Sequence, residues 1–220
     1  IQLLYAMAGL FATSLFPVMS KLSHKSQPDE IRNILEKTLT AALFVAVPTA
    51  MVGLPLSREI VAFLFGQEYL PATQSFRILL LTLPVIFPSV IVSNSLLAQN
   101  QQKKFITFSL IGAMGNIAFN FLLIPEFGIA GSSASTLMTQ ILANAFIWHK
   151  MNSIVSFKIS GKLFKITSAS LSSAGVAIVI QSLGIPVLLT ILISAITYFT
   201  TLIILKEPTL ENISKIVKLK

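Results

Sequence analysis

The residue types that carry acid–base, metal or covalent chemistry are few in this chain. It contains no Cys, which excludes disulfides, thiolate metal sites and Cys nucleophiles. Its two histidines, His24 and His149, lie among polar or basic neighbours near predicted helix ends, so we expect no metal site. The sequence has no Gly-x-x-x-x-Gly-Lys-Ser/Thr loop for nucleotide phosphates, and no paired carboxylates or Ser-His-Asp arrangement near the end of an apolar segment. We therefore expect neither an enzyme nor a bound cofactor.

A second group of residues can shape a polar path through an apolar segment. Pro84 and Pro88 lie near the middle of one such segment, and Ser93 and Asn94 follow them. Proline removes a backbone hydrogen bond and kinks a helix, and interrupted helices often line the central cavity of transporters. We predict these four residues as the lining of a substrate cavity; the alternative is that proline is simply commoner in membrane helices. Arg77, at the outer end of the same segment, could hold a phosphate or act as an interfacial anchor.

Neutral amides recur at helical spacing in two later segments. Asn116 and Asn120 stand four residues apart, as do Gln140 and Asn144, so each pair shares one helix face. Gly131 belongs to a stretch of small residues that would let two helix backbones approach closely. We predict that these residues pack the fourth and fifth helices against each other across a very short turn. Contact with a substrate is the alternative.

Charge-free apolar runs are the elements that must position these residues. The chain is 54% hydrophobic and 11% charged, and a soluble fold of 220 residues could not bury so much apolar surface. A run of about 20 apolar residues crosses a bilayer as a helix. The runs predict seven transmembrane helices, at about residues 1–20, 38–57, 76–99, 105–125, 127–148, 166–183 and 186–205. The expected fold class is therefore an all-α membrane protein.

The basic residues alternate between the two sides of these predicted helices. Of 16 Lys and Arg residues, 14 fall in the loops after the first, third and fifth helices and in the C-terminal tail, whereas Arg58 and Arg77 fall on the other side. This positive-inside pattern predicts a multi-pass protein of the cell inner (plasma) membrane. The N-terminus of this chain would lie outside and the C-terminus in the cytoplasm. The same placement indicates that the net charge of +8 serves contact with the membrane surface and not with nucleic acid.

Three segments outside the spans have an amphipathic pattern. Pro28–Lys37 and Ser57–Gly66 each place apolar residues on one helical face, and Gly66 stands where a helix C-cap would. Each is predicted either as a short interfacial helix or as a packed loop. The basic tail, residues 207–220, could form a third such helix on the anionic cytoplasmic leaflet or remain a frayed end.

Three stretches together resemble one known family. They are Leu15–Leu22 (LFPVMSKL), Leu64–Leu79 (LFGQEYLPATQSFRIL) and Asn116–Gly131, with its core NFLLIPEFGIAG. In this order and spacing they resemble the polysaccharide flippases of the multidrug, oligosaccharidyl-lipid and polysaccharide exporter superfamily. The resemblance covers Leu15 to about Trp148, and the last two helices match only in placement. One departure is Gly131-Ser132-Ser133, where members often have Gly-Ala-Ala.

The resemblance implies two six-helix lobes around a central cavity. This chain would supply helices eight to fourteen of fourteen: a second lobe (residues 1–150) and two extra C-terminal helices (151–220). Its first and third helices would face the cleft. The implied function is transport of a polyprenyl-diphosphate-linked oligosaccharide by alternating access, with that lipid-linked sugar and membrane lipids as partners, and with other glycan assembly proteins as possible ones.

Two further expectations concern what the chain lacks. It opens at Ile1 without an initiator Met or a basic leader, so we expect a piece of a longer protein. A cation-coupled multidrug or metabolite antiporter of the same superfamily is the alternative function, and it would need an intramembrane acid that no span here contains. A membrane-embedded glycan enzyme is a third possibility, weakened by the lack of acid–base groups.

Overall fold

The fold is helical throughout the part of the chain that the computed structural model describes, residues 2–22 and 27–206. This confirms the predicted all-α class. In chain order the helices are α1 (Gln2–Lys21), α2 (Pro28–Gly53), α3 (Ser57–Phe65), a 3-10 helix (Gln67–Ala72), α4 (Thr73–Leu80), α5 (Leu83–Ala98), α6 (Gln102–Asn152), α7 (Ser160–Ser182) and α8 (Val187–Ile204). The predicted tail helix, residues 207–220, lies outside the described residues.

Helix α2 is one continuous helix of 26 residues. Pro28 occupies its first turn together with Asp29 and Glu30, which suit the positive end of the helix dipole. At 1.5 Å per residue its length is about 39 Å, more than the roughly 30 Å of a hydrocarbon core. The predicted separation of Pro28–Lys37 from the following span is therefore wrong. A change from polar to apolar side chains does not interrupt a helix when no residue breaks its backbone.

The segment Ser57–Gly66 was predicted either as a short helix or as a packed loop, and the structure shows the helix, α3. Helix α3 ends at Phe65, and Gly66 follows with φ 97°, a conformation that side chains rarely adopt. The third predicted span is broken: α4 and α5 meet at a bend of 45°. Pro84 lies in the first turn of α5, where its missing N–H is tolerated, so the chain bends immediately before it.

Helix α6 turns back on itself at Gly128, whose φ of 54° and ψ of −130° are not helical. We call residues 102–127 its first arm and residues 129–152 its second arm. Gly131 lies against the backbone of Leu123, and Gly115 faces Thr139. These two pairs show antiparallel arms, as the predicted short turn at Glu126–Gly128 requires. The two arms correspond to the predicted spans 105–125 and 127–148.

Helix α5 lies at the centre of the bundle, packed by α1, α2 and α6. Helix α7 packs against α2 on one side and α8 on the other. Gly184, with φ 74°, and Pro186, which precedes α8, separate these last two helices as predicted. Among the described residues, four helices are long and apolar enough to span a membrane, or five if the bent α4–α5 segment is one span. The chain is a multi-pass membrane protein, and the number seven stays a prediction.

Candidate functional site

Pro84 and Pro88 line a common cavity of about 580 Å³. Leu43 and Val47 of α2 form another wall, and Asn144 of the second arm of α6 supplies an amide. No described residue of α1 is among the lining residues. The two prolines thus lie on the side of α5 that packs against α2 and α6. Helix α1 packs on a different side of α5.

Ser93 and Asn94 lie further along α5 and are not among the residues lining this cavity. The Ser93 hydroxyl donates to the Val90 carbonyl at 3.0 Å, and the Asn94 amide donates to the same oxygen at 2.8 Å. Both side chains therefore donate a hydrogen bond to the backbone of their own helix. Arg77 is exposed on α4 and also lies apart from the cavity. The structure brings together two of the five predicted cavity residues.

The predicted packing residues occupy the α6 hairpin. The Asn120 amide donates to the Asn116 side-chain oxygen at 2.8 Å. Gly131 permits the close approach of the arms, because a Cβ there would overlap the Leu123 backbone. The Asn144 amide donates to the Gln140 carbonyl at 2.8 Å, so this pair bonds within one arm and its amide borders the proline cavity.

An apolar groove of about 320 Å³ runs between α2 and the α7–α8 pair. Pro48 and Phe44 line it from α2, and Ile191, Ala195 and Tyr198 line it from α8. Among the described residues, its walls are almost entirely hydrocarbon and aromatic. A groove of this composition between α2 and the α7–α8 pair suits an acyl or prenyl chain and not a sugar.

Tyr198 is a site residue that the sequence analysis missed. Pro48 has no N–H to donate to the Phe44 carbonyl, one turn earlier in α2. The Tyr198 hydroxyl donates to that oxygen at 2.8 Å, and the rings of Phe44 and Tyr198 meet edge to face, 5.5 Å apart. The signal in the sequence was Pro48, which indicates that the Phe44 carbonyl lacks a donor in its own helix. It does not indicate which distant residue supplies the donor.

Polar contacts at two places join α1 to the segment formed by α4 and α5. The sequence analysis missed these as well. Near one end, the hydroxyls of Tyr5 and Thr82 lie 2.5 Å apart, beside the bend between α4 and α5. Near the other end, the buried Gln99 amide donates to the carbonyls of Met19 and Leu22 at 2.8 and 3.1 Å. Because the last carbonyls of a helix lack intrahelical donors, Gln99 caps the end of α1.

Comparison with protein families gives a match along nearly the whole chain. A family model described as "Lipid II flippase MurJ" matches residues 2–207. The match includes α7 and α8. In the sequence analysis these two helices agreed with the family only in their position along the chain.

Three curated relatives were found among archaea and bacteria. The chain is 28% identical over 211 residues to the probable low-salt glycan biosynthesis flippase Agl15 of Haloferax volcanii, covering 93% of this chain and 44% of that protein. It is 30% identical over 135 residues to the uncharacterized membrane protein MJ1068 of Methanocaldococcus jannaschii, covering 61% and 27%. It is 25% identical over 139 residues to the capsular polysaccharide biosynthesis protein CapF of Staphylococcus aureus, covering 61% and 35%. The chain thus spans less than half the length of these relatives.

A solved structure has the same fold. It is a lipid II flippase MurJ in an inward closed conformation, with a TM-score of 0.76 and 22% identity. The similarity covers 91% of this chain and 43% of that one.

Proposed function

Since the chain belongs to the lipid II flippase MurJ family, whose model matches residues 2–207, we propose that the intact protein moves a polyprenyl-diphosphate-linked oligosaccharide across the membrane. The chain would form the second lobe of the transporter (residues 1–150) and two extra C-terminal helices (151–220). The relatives named for glycan flipping and capsule synthesis support a lipid-linked sugar as the substrate class.

The physical difficulty of this transport is the mismatch between the two parts of the substrate. A sugar and a diphosphate lose their hydration in hydrocarbon at a high free-energy cost, whereas a polyprenyl tail is already soluble there. A polar cleft between two lobes would carry the head group by alternating access. The tail needs an apolar path beside that cleft.

The observation that carries the proposal is the apolar groove between α2 and the α7–α8 pair. Its volume of about 320 Å³ accommodates several isoprene units but not a whole polyprenyl chain, so the rest of the tail would lie in lipid. We propose that this groove guides the tail while the head group crosses. Helices α7 and α8 would then serve the lipid part of the substrate.

A deletion strain tests the proposal. Cells lacking the intact gene should lose the surface glycan and accumulate lipid-linked units inside, and the wild-type gene should restore the glycan. Ala195→Phe fills the groove and should restore less glycan than wild type, because the tail is excluded. Ile196→Phe places the same ring at an exposed neighbouring position on α8 and serves as the matched control. Normal surface glycan in the deletion strain would refute the proposal.

A further inference from the structure

A second cavity adjoins the one lined by Pro84 and Pro88. It measures about 440 Å³, and the two share Val85, Asn144 and Trp148 as a common wall. Together they form a pocket on one flank of the bundle, between α5, the second arm of α6 and the start of α7. We call this the Trp148 pocket.

The Trp148 pocket is apolar inside and polar at its rim. Its interior walls are the proline side of α5 and the apolar residues Leu43 and Val47 of α2. Its rim carries His149, Asn152 and Lys158, all exposed. An apolar interior beneath basic and amide groups matches the two chemistries of a phospholipid, acyl chain and phosphate.

The rim is an ordered structure. The Phe157 N–H donates to the Asn152 side-chain oxygen at 3.1 Å, which closes the loop between α6 and α7. The Lys158 N–H donates to the Glu36 carboxylate at 2.8 Å, which ties the loop to α2. The rings of Trp148 and Phe157 pack with centroids 4.9 Å apart. The bond to Glu36 uses the backbone N–H of Lys158 and not its ammonium group.

The Trp148 pocket lies on the face of α5 that α2 and α6 cover, and not on the face that α1 covers. The resemblance places both α1 and α5 at the transport cleft, and we infer that only the α1 side of α5 faces it. None of the described residues of α1 lines either cavity. Ile141, which does line the pocket, is 52% exposed, and its neighbour Leu142 is 50% exposed. We infer that this exposed apolar flank faces lipid, from which an acyl chain can enter the pocket.

Charge decides which lipid fits. Lys158 stands at the rim, Lys150 lies beside the pocket residue His149 at the end of α6, and among the described residues no carboxylate forms an ion pair with either lysine. Glu36 is the acidic group at the loop, and one of its carboxylate oxygens accepts the Lys158 N–H. The rim therefore favours a negatively charged head group over a zwitterionic one.

We propose that the Trp148 pocket binds an anionic glycerophospholipid of the leaflet that meets the α6–α7 loop. Its phosphate lies against Lys158, and one acyl chain lies along Pro84 and Pro88. This assigns the two prolines to a bound membrane lipid, whereas the sequence had predicted them in the substrate cavity. The inference is independent of the substrate proposed above.

Quenching of Trp148 fluorescence tests this inference in the intact protein. The protein is reconstituted in phosphatidylcholine vesicles containing either brominated phosphatidylglycerol or brominated phosphatidylcholine at equal mole fraction. The fluorescence of Trp148 is taken as the difference in emission between the wild-type protein and Trp148→Phe, and this difference reports on the pocket. Brominated phosphatidylglycerol should quench that signal more strongly. Lys158→Gln should lower this preference about fivefold, the contribution of one Lys near an anionic surface.

Lys158→Gln keeps the backbone N–H that bonds Glu36, so the loop should stay folded. Lys103→Gln removes the same charge from an exposed residue that lines neither cavity, and should leave the preference unchanged. Equal quenching by the two lipids, or an unchanged preference in Lys158→Gln, would overturn the inference. Displacement of the brominated phosphatidylglycerol by an equal mole fraction of polyprenyl diphosphate would assign the pocket to the transport route and equally refute it.

Discussion

The Tyr198 hydroxyl of α8 donates to the Phe44 carbonyl of α2 at 2.8 Å, and this is the carbonyl that Pro48 leaves without a donor in its own helix. The bond joins residues 154 positions apart. It lies beside the groove proposed for the polyprenyl tail, so the carbonyl left unpaired by Pro48 becomes a contact between α2 and α8. An unsatisfied carbonyl in the membrane is costly, and the hydroxyl removes that cost.

Tyr198→Phe should lower the free energy of unfolding by about 1–2 kcal/mol, because it removes the donor but keeps the ring that packs on Phe44. Reversible denaturation of the intact protein in detergent measures the change. The variant should lose less stability in a Pro48→Ala background, since the alanine there supplies its own N–H to the Phe44 carbonyl. Strict additivity of the two substitutions would show that the bond does not compensate for the proline.

Gln99→Leu should loosen the end of α1. The substitution removes the two donations to the Met19 and Leu22 carbonyls and leaves these oxygens without that cap. We expect a loss of about 1–3 kcal/mol and faster hydrogen exchange in the last turn of α1. Gln102→Leu, at an exposed position in the first turn of α6, is the matched control. Exchange at α1 that is as slow in Gln99→Leu as in the control would argue against a cap.

Gly131→Ala should be among the most damaging small substitutions in the chain. The added methyl group would overlap the Leu123 backbone, which cannot move away as a flexible side chain can. A cost of about 3 kcal/mol or more is expected. The same substitution at Gly112, where a Cβ meets nothing within 4 Å, should be neutral or slightly stabilising. Unfolding of the intact variants in detergent compares the two, and equal stability would contradict the hairpin packing.

Local backbone features of the fold could be predicted from the sequence. The ends of α3 and α7 followed from Gly66 and Gly184, because glycine takes positive φ values at little cost. The reversal at Gly128 followed from a charged residue and a glycine between two apolar runs. The length of α2 could not be predicted, since the end of an apolar run at Thr38 was mistaken for the start of a helix.

Contacts between distant helices could not be predicted in the same way. Pro48 indicates that the Phe44 carbonyl needs a donor, but many hydroxyl and amide groups elsewhere in the chain could have supplied it. Gln99 lies within a predicted span, and only the packing of α1 on α5 shows that its amide meets Met19. For the same reason, only two of the five residues predicted to line one cavity do so. Which faces of the helices contact each other is determined by packing, and the sequence alone does not show it.

The orientation inferred from the basic residues has a direct test. We propose that the N-terminus of this chain lies outside the cell and the C-terminus inside. Cys introduced at Gln67, which is exposed, should react with an impermeant thiol reagent applied to intact cells. Cys at Lys103, also exposed, should react only after the membrane is opened. Ser26, on the same predicted side as Lys103, lies outside the described residues and should behave as Lys103 does. Labelling of position 103 or 26 in intact cells would reverse the orientation.

The most direct measurement of the central claim is transbilayer movement of a labelled polyprenyl-diphosphate oligosaccharide in proteoliposomes that contain the intact protein. Accessibility of the sugar to an impermeant oxidant reports which leaflet holds it. If the protein is a flippase for this substrate class, sugar that began in the inner leaflet should become oxidisable in vesicles with protein, and much more slowly in vesicles without it. Equal rates in the two preparations, with folded protein confirmed in the membrane and the coupling gradient varied, would contradict the account.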